Sequence, residues 1–412
     1  MNIVEAQREQ YINYALNVLD NLISIPTVVP PGLNYEECSN YMAEILENLG
    51  LDVKIIRVPD YTVKKYLSDM MNYPRFIVLA KLRFGKGPTI HFNGHYDVVP
   101  AGSGWTVDPF KPTIKNGKIY GRGASDMKGG ITTIILVLKM LQDLGINLNG
   151  SIEVSFVPDE EVGGETGSGY LVESDLISPD YVVIAEPTGL NTIWIGHKGT
   201  LWLDIEVFGR QAHGSTPWKG VNAFEKMVEL AYKMIHELKP KIELKKSKYD
   251  YEDPKGARAT INIGGEAKGG TKTNIVPGYY SFSIDRRVVP EETVEEAERE
   301  IVDFIERVKR FIPELNVRIR VKSKSNAVVT SPNSPLVKTL MQSIREVLNI
   351  NPKPVLCVGG LDMGYFISKG YQTVTYGPGD PDVAHMADEH ICLDDIYNVA
   401  KVYLNLIMTT LM

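Results

Sequence analysis

The sequence predicts an α/β protein: a discontinuous α/β domain with helices on both sheet faces, interrupted by an inserted ferredoxin-like α+β domain. Three observations predict it. Short runs rich in β-branched and apolar residues alternate with helical periodicities through the first half. The middle changes to the order strand, helix, strand, strand, helix, strand. The chain has 412 residues, more than one ordinary core accommodates, so two domains are expected.

The elements follow in order. A helix from about Val4 to Ile23 ends before Pro26, and a second from Tyr35 to Leu49 closes at Gly50. Strands are expected at Val53–Val58, Phe76–Leu82, Thr89–Asn93, Ile152–Val157 and Tyr181–Ala185, with a helix at Met127–Leu144. The middle carries strand Thr200–Phe208, helix Asn222–Leu238, strands Arg258–Ile263 and Tyr279–Asp285, helix Val294–Phe311 and strand Val317–Val321. Helix Ser334–Leu348, strand Tyr371–Tyr376 and helix Leu393–Met408 resume the first pattern. The expected division is 1–197 and 323–412 for the outer domain and 198–322 for the insertion. Linkers would lie near Gly196–Gly199 and Lys322–Asn326.

Composition narrows the function classes. With 44 basic and 51 acidic residues the formal net charge is -7, so a basic face for nucleic acid is not signalled. The N-terminus mixes charged and apolar residues and has no apolar core of a signal peptide. The most apolar helical stretch, Ile131–Leu141, is too short to span a bilayer. Three cysteines, Cys38, Cys357 and Cys392, have no CxxC spacing and fit a reducing cytoplasm, as buried and inert thiols.

Chemistry gathers at strand ends. The run Thr89–Asn93 leads into His95 and Asp97, Ile152–Val157 into Glu160 and Glu161, Tyr181–Ala185 into Glu186, and Tyr371–Tyr376 towards His385. In open α/β sheets ligands bind beyond the carboxyl ends of the strands. Asp126 joins from the loop before helix 127–144. Carboxylates so placed repel one another and need a cation. Two histidines and three carboxylates suffice for two divalent ions with one shared carboxylate. That donor set suits Zn²⁺, with Co²⁺ or Mn²⁺ as substitutes. In His95-x-Asp97, residues two apart on an extended chain face one side, so Asp97 can take the second N–H of His95. Each motif alone is weak, since acidic pairs and H-x-D triplets abound on solvated loops; their coincidence at five places carries the case.

Gly94-His95-Tyr96-Asp97-Val98-Val99-Pro100, the run Gly121–Gly130 around Asp126, and Asp159-Glu160-Glu161-Val162-Gly163-Gly164 resemble the zinc hydrolase family of acetylornithine deacetylase, succinyl-diaminopimelate desuccinylase, aminoacylase and carboxypeptidase G. The resemblance covers nearly the whole chain. It implies His95 and Glu186 as ligands of one metal, Glu161 and His385 of the other, and Asp126 as the bridge. It further implies Glu160 as general base and Asp97 as partner of His95. The inserted domain would be a lid and dimerisation domain. There His213 would hold the oxyanion, often from the partner subunit of a homodimer. Asn274 and Arg287 would hold a substrate carboxylate, with the backbone near Gly360. Relatives carry a threonine in the run that here reads Gly359-Gly360-Leu361-Asp362, so Leu361 loses a hydroxyl donor. Arg287 could instead serve a surface ion pair with a helix glutamate.

The remaining histidines have plainer readings. His91 faces the core or a helix, His236 is exposed, and His197 lies at the hinge. His390 belongs to no HExxH motif. The glycines at 163–169 lack a nucleotide-binding order. The expected activity is hydrolysis of an amide bond in an N-acyl amino acid, through a metal-activated water. The alternatives are a carboxypeptidase or dipeptidase on unmodified peptides and a non-catalytic metal or amino-acid-binding protein. The latter has no need of an uncoordinated Glu160.

Overall fold

A computed structural model describes residues 2–412. The chain divides into two units. The first holds the chain up to Ile195 together with Thr330–Pro354 and Leu361–Met412; the second holds Gly196–Val329 and Val355–Gly360.

In the first unit the sheet order is Asp52–Arg57, Phe76–Arg83, Ser151–Val157, Thr89–His95, Tyr181–Ile184, Gln372–Thr375 and Thr192–His197. The four strands from Ser151–Val157 to Gln372–Thr375 are parallel, and the flanking ones pair antiparallel. Parallel strands need cover on both faces, so their sequences read as continuous apolar runs rather than alternating ones. Ser151–Val157 follows that rule and is buried at every residue.

Strand Thr89–His95 shows how the faces are used. Phe92 packs its ring 5.0 Å from Tyr403 of helix Leu393–Leu411. Gly94, on the same face, approaches Ile131 and Met127. On the opposite face His91 lies 5.9 Å from the Phe366 ring of helix Met363–Ser368. Asn93 donates to Ser168 Oγ at the start of helix Ser168–Glu173. Helices therefore cover both faces. Helix Gly129–Leu144 is buried without a break from Gly129 to Leu138, packed against Arg8–Ser24 and Leu393–Leu411, and stops at Gly145 in the left-handed region. No described helix is long and apolar enough to cross a membrane.

The second unit carries a four-stranded antiparallel sheet in the order Thr260–Gly269, Tyr279–Val288, Gly199–Phe208, Asn316–Ser325. Its first strand in sequence lies inside the sheet, as in the split βαβ arrangement. Leu201, Leu203, Ile205 and Val207 face one way and share a core with Ala297, Ile301, Phe304, Ile305 and Val308 of helix Val294–Lys309. That helix begins with a reciprocal capping box between Thr293 and Glu296, worth about 1 kcal/mol.

Several elements differ from expectation. The first helix breaks at Gln7, so Arg8–Ser24 stands apart from Asn2–Ala6. Helical geometry starts at Gly129 rather than Met127, because Asp126 and Met127 hold non-helical φ/ψ values. The strand expected at Arg258–Ile263 starts at Thr260 and runs to Gly269. Asn316–Ser325 continues past residue 322, and Gly360 groups with the second unit. Strand Thr192–His197 and a small sheet of Thr113–Lys115, Lys118–Tyr120 and His390–Cys392 were not expected.

Two glycines allow three segments to converge on Ala185. A Cβ on Gly130 would lie 2.0 Å from the Ala185 carbonyl oxygen, and one on Gly377 2.3 Å from the same atom. Gly130→Ala forces helix and strand apart. It is expected to cost about 1–3 kcal/mol, as overpacking does, and to lower Tm by several degrees in a thermal melt.

Candidate metal centre

All but one of the side chains of the centre follow the carboxyl ends of the parallel strands. His95 is the last residue of Thr89–His95. Glu160 and Glu161 sit on a short turn after Ser151–Val157, and Glu186 follows Tyr181–Ile184. His385 follows Gln372–Thr375 through a loop in which it takes a left-handed φ of 63°. Asp126 occupies the non-helical turn before Gly129–Leu144.

These residues form two groups that could hold a metal ion, His95–Asp126–Glu186 and Asp126–Glu161–His385. Asp126 belongs to both. Its Oδ1 lies 3.0 Å from His95 Nε2 and its Oδ2 3.2 Å from His385 Nε2. His95 Nε2 also lies 3.4 Å from Glu186 Oε1, and His385 Nε2 2.8 Å from Glu161 Oε1. Imidazole nitrogen with carboxylate oxygen is a donor set that zinc, cobalt and manganese accept. Glu160 belongs to neither group.

Asp97 is arranged differently from the expectation. Its carboxylate lies 3.5 Å from His95 Nδ1, while its backbone carbonyl lies 3.0 Å away and takes that N–H. The carboxylate instead accepts the backbone N–H groups of Glu160 and Glu161, at 3.3 and 3.1 Å. Asp97 thus orients His95 through its main chain and the Glu160–Glu161 turn through its side chain. The turn is gripped from the other side by Asp159, fully buried against Arg75 at 2.8 Å and receiving the Tyr35 hydroxyl at 2.9 Å.

Burial and charge crowding shift these groups strongly. Burial pushes the Glu186 carboxyl up to about 8; His95 opposes this, while Asp126 and Glu161 add to it. Burial likewise lifts Glu161 to about 6, with Asp126 adding. Glu160 rises well above the carboxylate range, first through burial, with Glu186 and Asp362 adding. For Asp126 burial acts upward but is outweighed by hydrogen bonds from His385 and His95, which hold it below its ordinary value. Hydrogen bonds to Asp126 and Glu161 push His385 up to about 10. Burial would lower His95, yet Glu186, Asp126 and Asp97 together hold it well above its ordinary value. A metal ligand must be a neutral imidazole or an ionised carboxylate, so metal uptake by these groups would release protons.

The remaining sequence-predicted residues lie in the second unit. His213 and Asn274 come together there: strand Ala212–His213 pairs with Ile275–Val276, and Gly214 N donates to the Asn274 carbonyl at 2.8 Å. His213 is exposed, and its Nδ1 accepts the Ser215 N–H at 3.1 Å, which leaves the proton on Nε2. Arg287 pairs with Asp285 at 2.8 Å, a strand aspartate rather than a helix glutamate, and donates to Thr200 Oγ1. A Cβ on Gly360 would meet nothing within 4 Å. The plainer histidine readings hold: His91 is buried between Glu153 and Ser155, and His236 is exposed.

Sequence reasoning missed Asp362 and Arg75. Asp362 is buried with Oδ2 lacking a hydrogen-bond partner, and burial pushes it up to about 7. Its place four residues before Phe366, at the start of a short helix packed on strand Gln372–Thr375, was the available signal. Arg75 stands just ahead of the apolar strand Phe76–Arg83, where an arginine with no exposed surface implies a buried partner.

Comparison with known proteins agrees with this geometry. The sequence model of peptidase family M20/M25/M40 matches residues 91–409. An uncharacterised metallohydrolase of Methanocaldococcus jannaschii is 30% identical over 415 residues, covering 95% of this chain and 98% of its own. A succinyl-diaminopimelate desuccinylase of Nitratiruptor is 29% identical over 381 residues, covering 87% of this chain and 98% of its own. The crystal structure of an M20 family metallo-carboxypeptidase from Sulfolobus solfataricus superposes with a TM-score of 0.75 at 23% identity, covering 96% of this chain and 98% of that one. At that identity it shows a shared fold.

The shifts predict a pH dependence. Without metal, Glu186 keeps its proton up to about pH 8 in the folded protein but loses it near 4.5 when unfolded. Between those values the folded state binds more protons, so stability falls as pH rises. His385 has the same sign: its contribution is complete below 6.5 and is lost as pH rises through about 10. Chelator-treated protein is therefore expected to melt lower at pH 8 than at pH 6, and added Zn²⁺ to raise Tm more at pH 8. Differential scanning fluorimetry at both values checks this.

Proposed function

We propose, from the premise that this chain belongs to peptidase family M20/M25/M40, that it is a two-metal hydrolase cleaving the amide bond of an N-acyl amino acid, as a deacetylase or desuccinylase does. The observation that carries the reading is Asp126, whose two oxygens serve two separate histidine–carboxylate groups while Glu160 stays out of both. His95 and Glu186 are proposed for one ion, Glu161 and His385 for the other, and Asp126 for both. Zinc is the proposed metal, because borderline nitrogen and hard oxygen donors are mixed in each group. The deacylase choice over a peptidase rests on the desuccinylase relative, which matches along 98% of its own length.

Two divalent ions held there would lower the pKa of a water and polarise the amide carbonyl. The chain's own residues do the rest. Asp97 takes the Nδ1–H of His95 on its main-chain oxygen and so directs Nε2 to the centre. The same residue's carboxylate fixes the turn that presents Glu160. Glu160, outside both ligand groups, accepts the proton of the attacking water and returns it to the leaving amine. His213, with Nε2–H exposed, offers a donor for the oxyanion; Asn274, Arg287 and the Gly360 backbone offer donors for the substrate carboxylate.

A homodimer through the second unit is part of the proposal. Phe224, Val228, Tyr232 and Ile235 are exposed and recur every three or four residues along the helix that begins at Ala223, with Trp218 exposed nearby in sequence. The cysteine usage, three residues with no paired spacing, supports a cytoplasmic enzyme.

Glu160→Gln is expected to keep two metals per chain by elemental analysis while turnover falls about 10²–10⁴-fold. Normal turnover would remove Glu160 from the base role. A panel of N-acetyl and N-succinyl amino acids and dipeptides, assayed with Zn²⁺, Co²⁺ or Mn²⁺, separates deacylase from peptidase. Tyr232→Glu is expected to shift the mass in light scattering from dimer to monomer; a wild-type chain already monomeric would sink the dimer.

A further inference from the structure

Arg122 and Glu389 are 267 residues apart in sequence and meet in the interior of the first unit, each with almost no exposed surface. Arg122 Nη1 donates to Glu389 Oε2 at 2.5 Å. The other carboxylate oxygen, Oε1, accepts two consecutive backbone N–H groups, Ser125 at 2.9 Å and Asp126 at 3.0 Å. The guanidinium also donates to the main-chain carbonyls of His385 at 3.2 Å, Met386 at 3.3 Å and Ala101 at 3.2 Å. Its plane rests 5.2 Å from the Trp105 ring.

Stability alone is a poor account of such a pair. Taking both charges out of water costs several kcal/mol per ion, and a buried ion pair often does no better than apolar residues of equal volume. What the pair achieves is connection. One carboxylate holds the backbone at Asp126, and one guanidinium holds the carbonyl of His385. His385 is also held in the left-handed region, φ 63°, which an ordinary loop would not select. A second link runs beside it, where Ser125 Oγ both donates to the Asp380 carbonyl and accepts the Asp380 N–H, each at 3.1 Å. Only arginine has enough donors, in a planar fork, to serve a carboxylate and several carbonyls at once.

We propose that Arg122 and Glu389 form a buried clamp that sets the separation of Asp126 and His385, and so positions the shared carboxylate against the second histidine group. They are positioning residues; neither reaches a metal or substrate. The inference rests on the two-metal reading above and adds to it the device that keeps the two loops in register.

Glu389→Gln keeps the shape but turns a carboxylate that serves three donors into an amide that must aim an N–H₂ group at either Arg122 or the backbone. Arg122→Lys keeps the charge and loses the fork. The experiment measures metal affinity by competition with a chelator, the visible absorption of the cobalt-substituted protein, and kcat and KM on the best substrate. Both variants are expected to bind the Asp126–Glu161–His385 ion about 10–100-fold more weakly. They should change the cobalt absorption and lower kcat with KM little altered. The double variant should be no worse than the poorer single one, because both act through one contact. Should Glu389→Gln fail to fold, Arg122→Lys carries the same expectations. Wild-type affinity, cobalt spectrum and kcat in a folded variant, even with a lower Tm, would overturn the clamp and leave the two-metal reading standing. A wild-type chain that takes up no metal would overturn that reading, and the clamp with it.

Discussion

Carboxylates repel, and the first unit brings Asp126, Glu160, Glu161 and Glu186 to one edge of its sheet with little water to screen them. Much of the surrounding structure follows from containing that repulsion. Two imidazoles are threaded between the carboxylates, His95 against Asp126 and Glu186 and His385 against Asp126 and Glu161. Asp159, next in sequence to Glu160, is turned away from the cluster and neutralised by a fully buried Arg75. Glycines at 130 and 377 let the helix and loops close on Ala185, next to Glu186. Each device serves the edge of the sheet, and the helices on both faces provide the rigid ground behind it.

The division of labour at Asp97 has a similar origin. A carboxylate that took the His95 proton would draw part of its charge into that single bond. Here the main-chain carbonyl does that work, and the carboxylate is left to two backbone N–H groups of the neighbouring turn. One residue thereby couples the orientation of a ring on one strand to the position of Glu160 after the next.

The α/β class and the inserted split βαβ unit were legible because both depend on periodicity, which a sequence carries locally. So were the residues that the fold draws into two groups, since each but Asp126 is a polar side chain ending or following an apolar strand run, and Asp126 stands in a glycine-rich loop just before a helix. The supports were not legible. Arg75 and Asp159 are 84 residues apart, and Arg122 and Glu389 lie further apart still, so nothing local announces their pairing. Asp97 was assigned by strand alternation, which predicts the side a residue faces but not whether its carbonyl or its carboxylate is nearer. Short strands such as Lys118–Tyr120 and His390–Cys392 carry too few residues for a period, and they form only through tertiary pairing.

Strand Gln372–Thr375 lies between Tyr181–Ile184 and Thr192–His197, although it follows them by almost two hundred residues. On a ribosome the chain emerges from its N-terminus, so the other six strands of that order are available while the slot between Tyr181–Ile184 and Thr192–His197 stays open. It stays open through synthesis of the entire second unit. The sheet is completed, and His385 delivered, only when the last tenth of the chain has been made. Closing so long a loop is slow, and until it closes the two bordering strands present unpaired edges to any other extended chain. Nascent or truncated forms ending before residue 372 are therefore the ones at risk of aggregation, and the half-built centre they hold contains His95, Asp126 and Glu186 but not the residues of the second group in full.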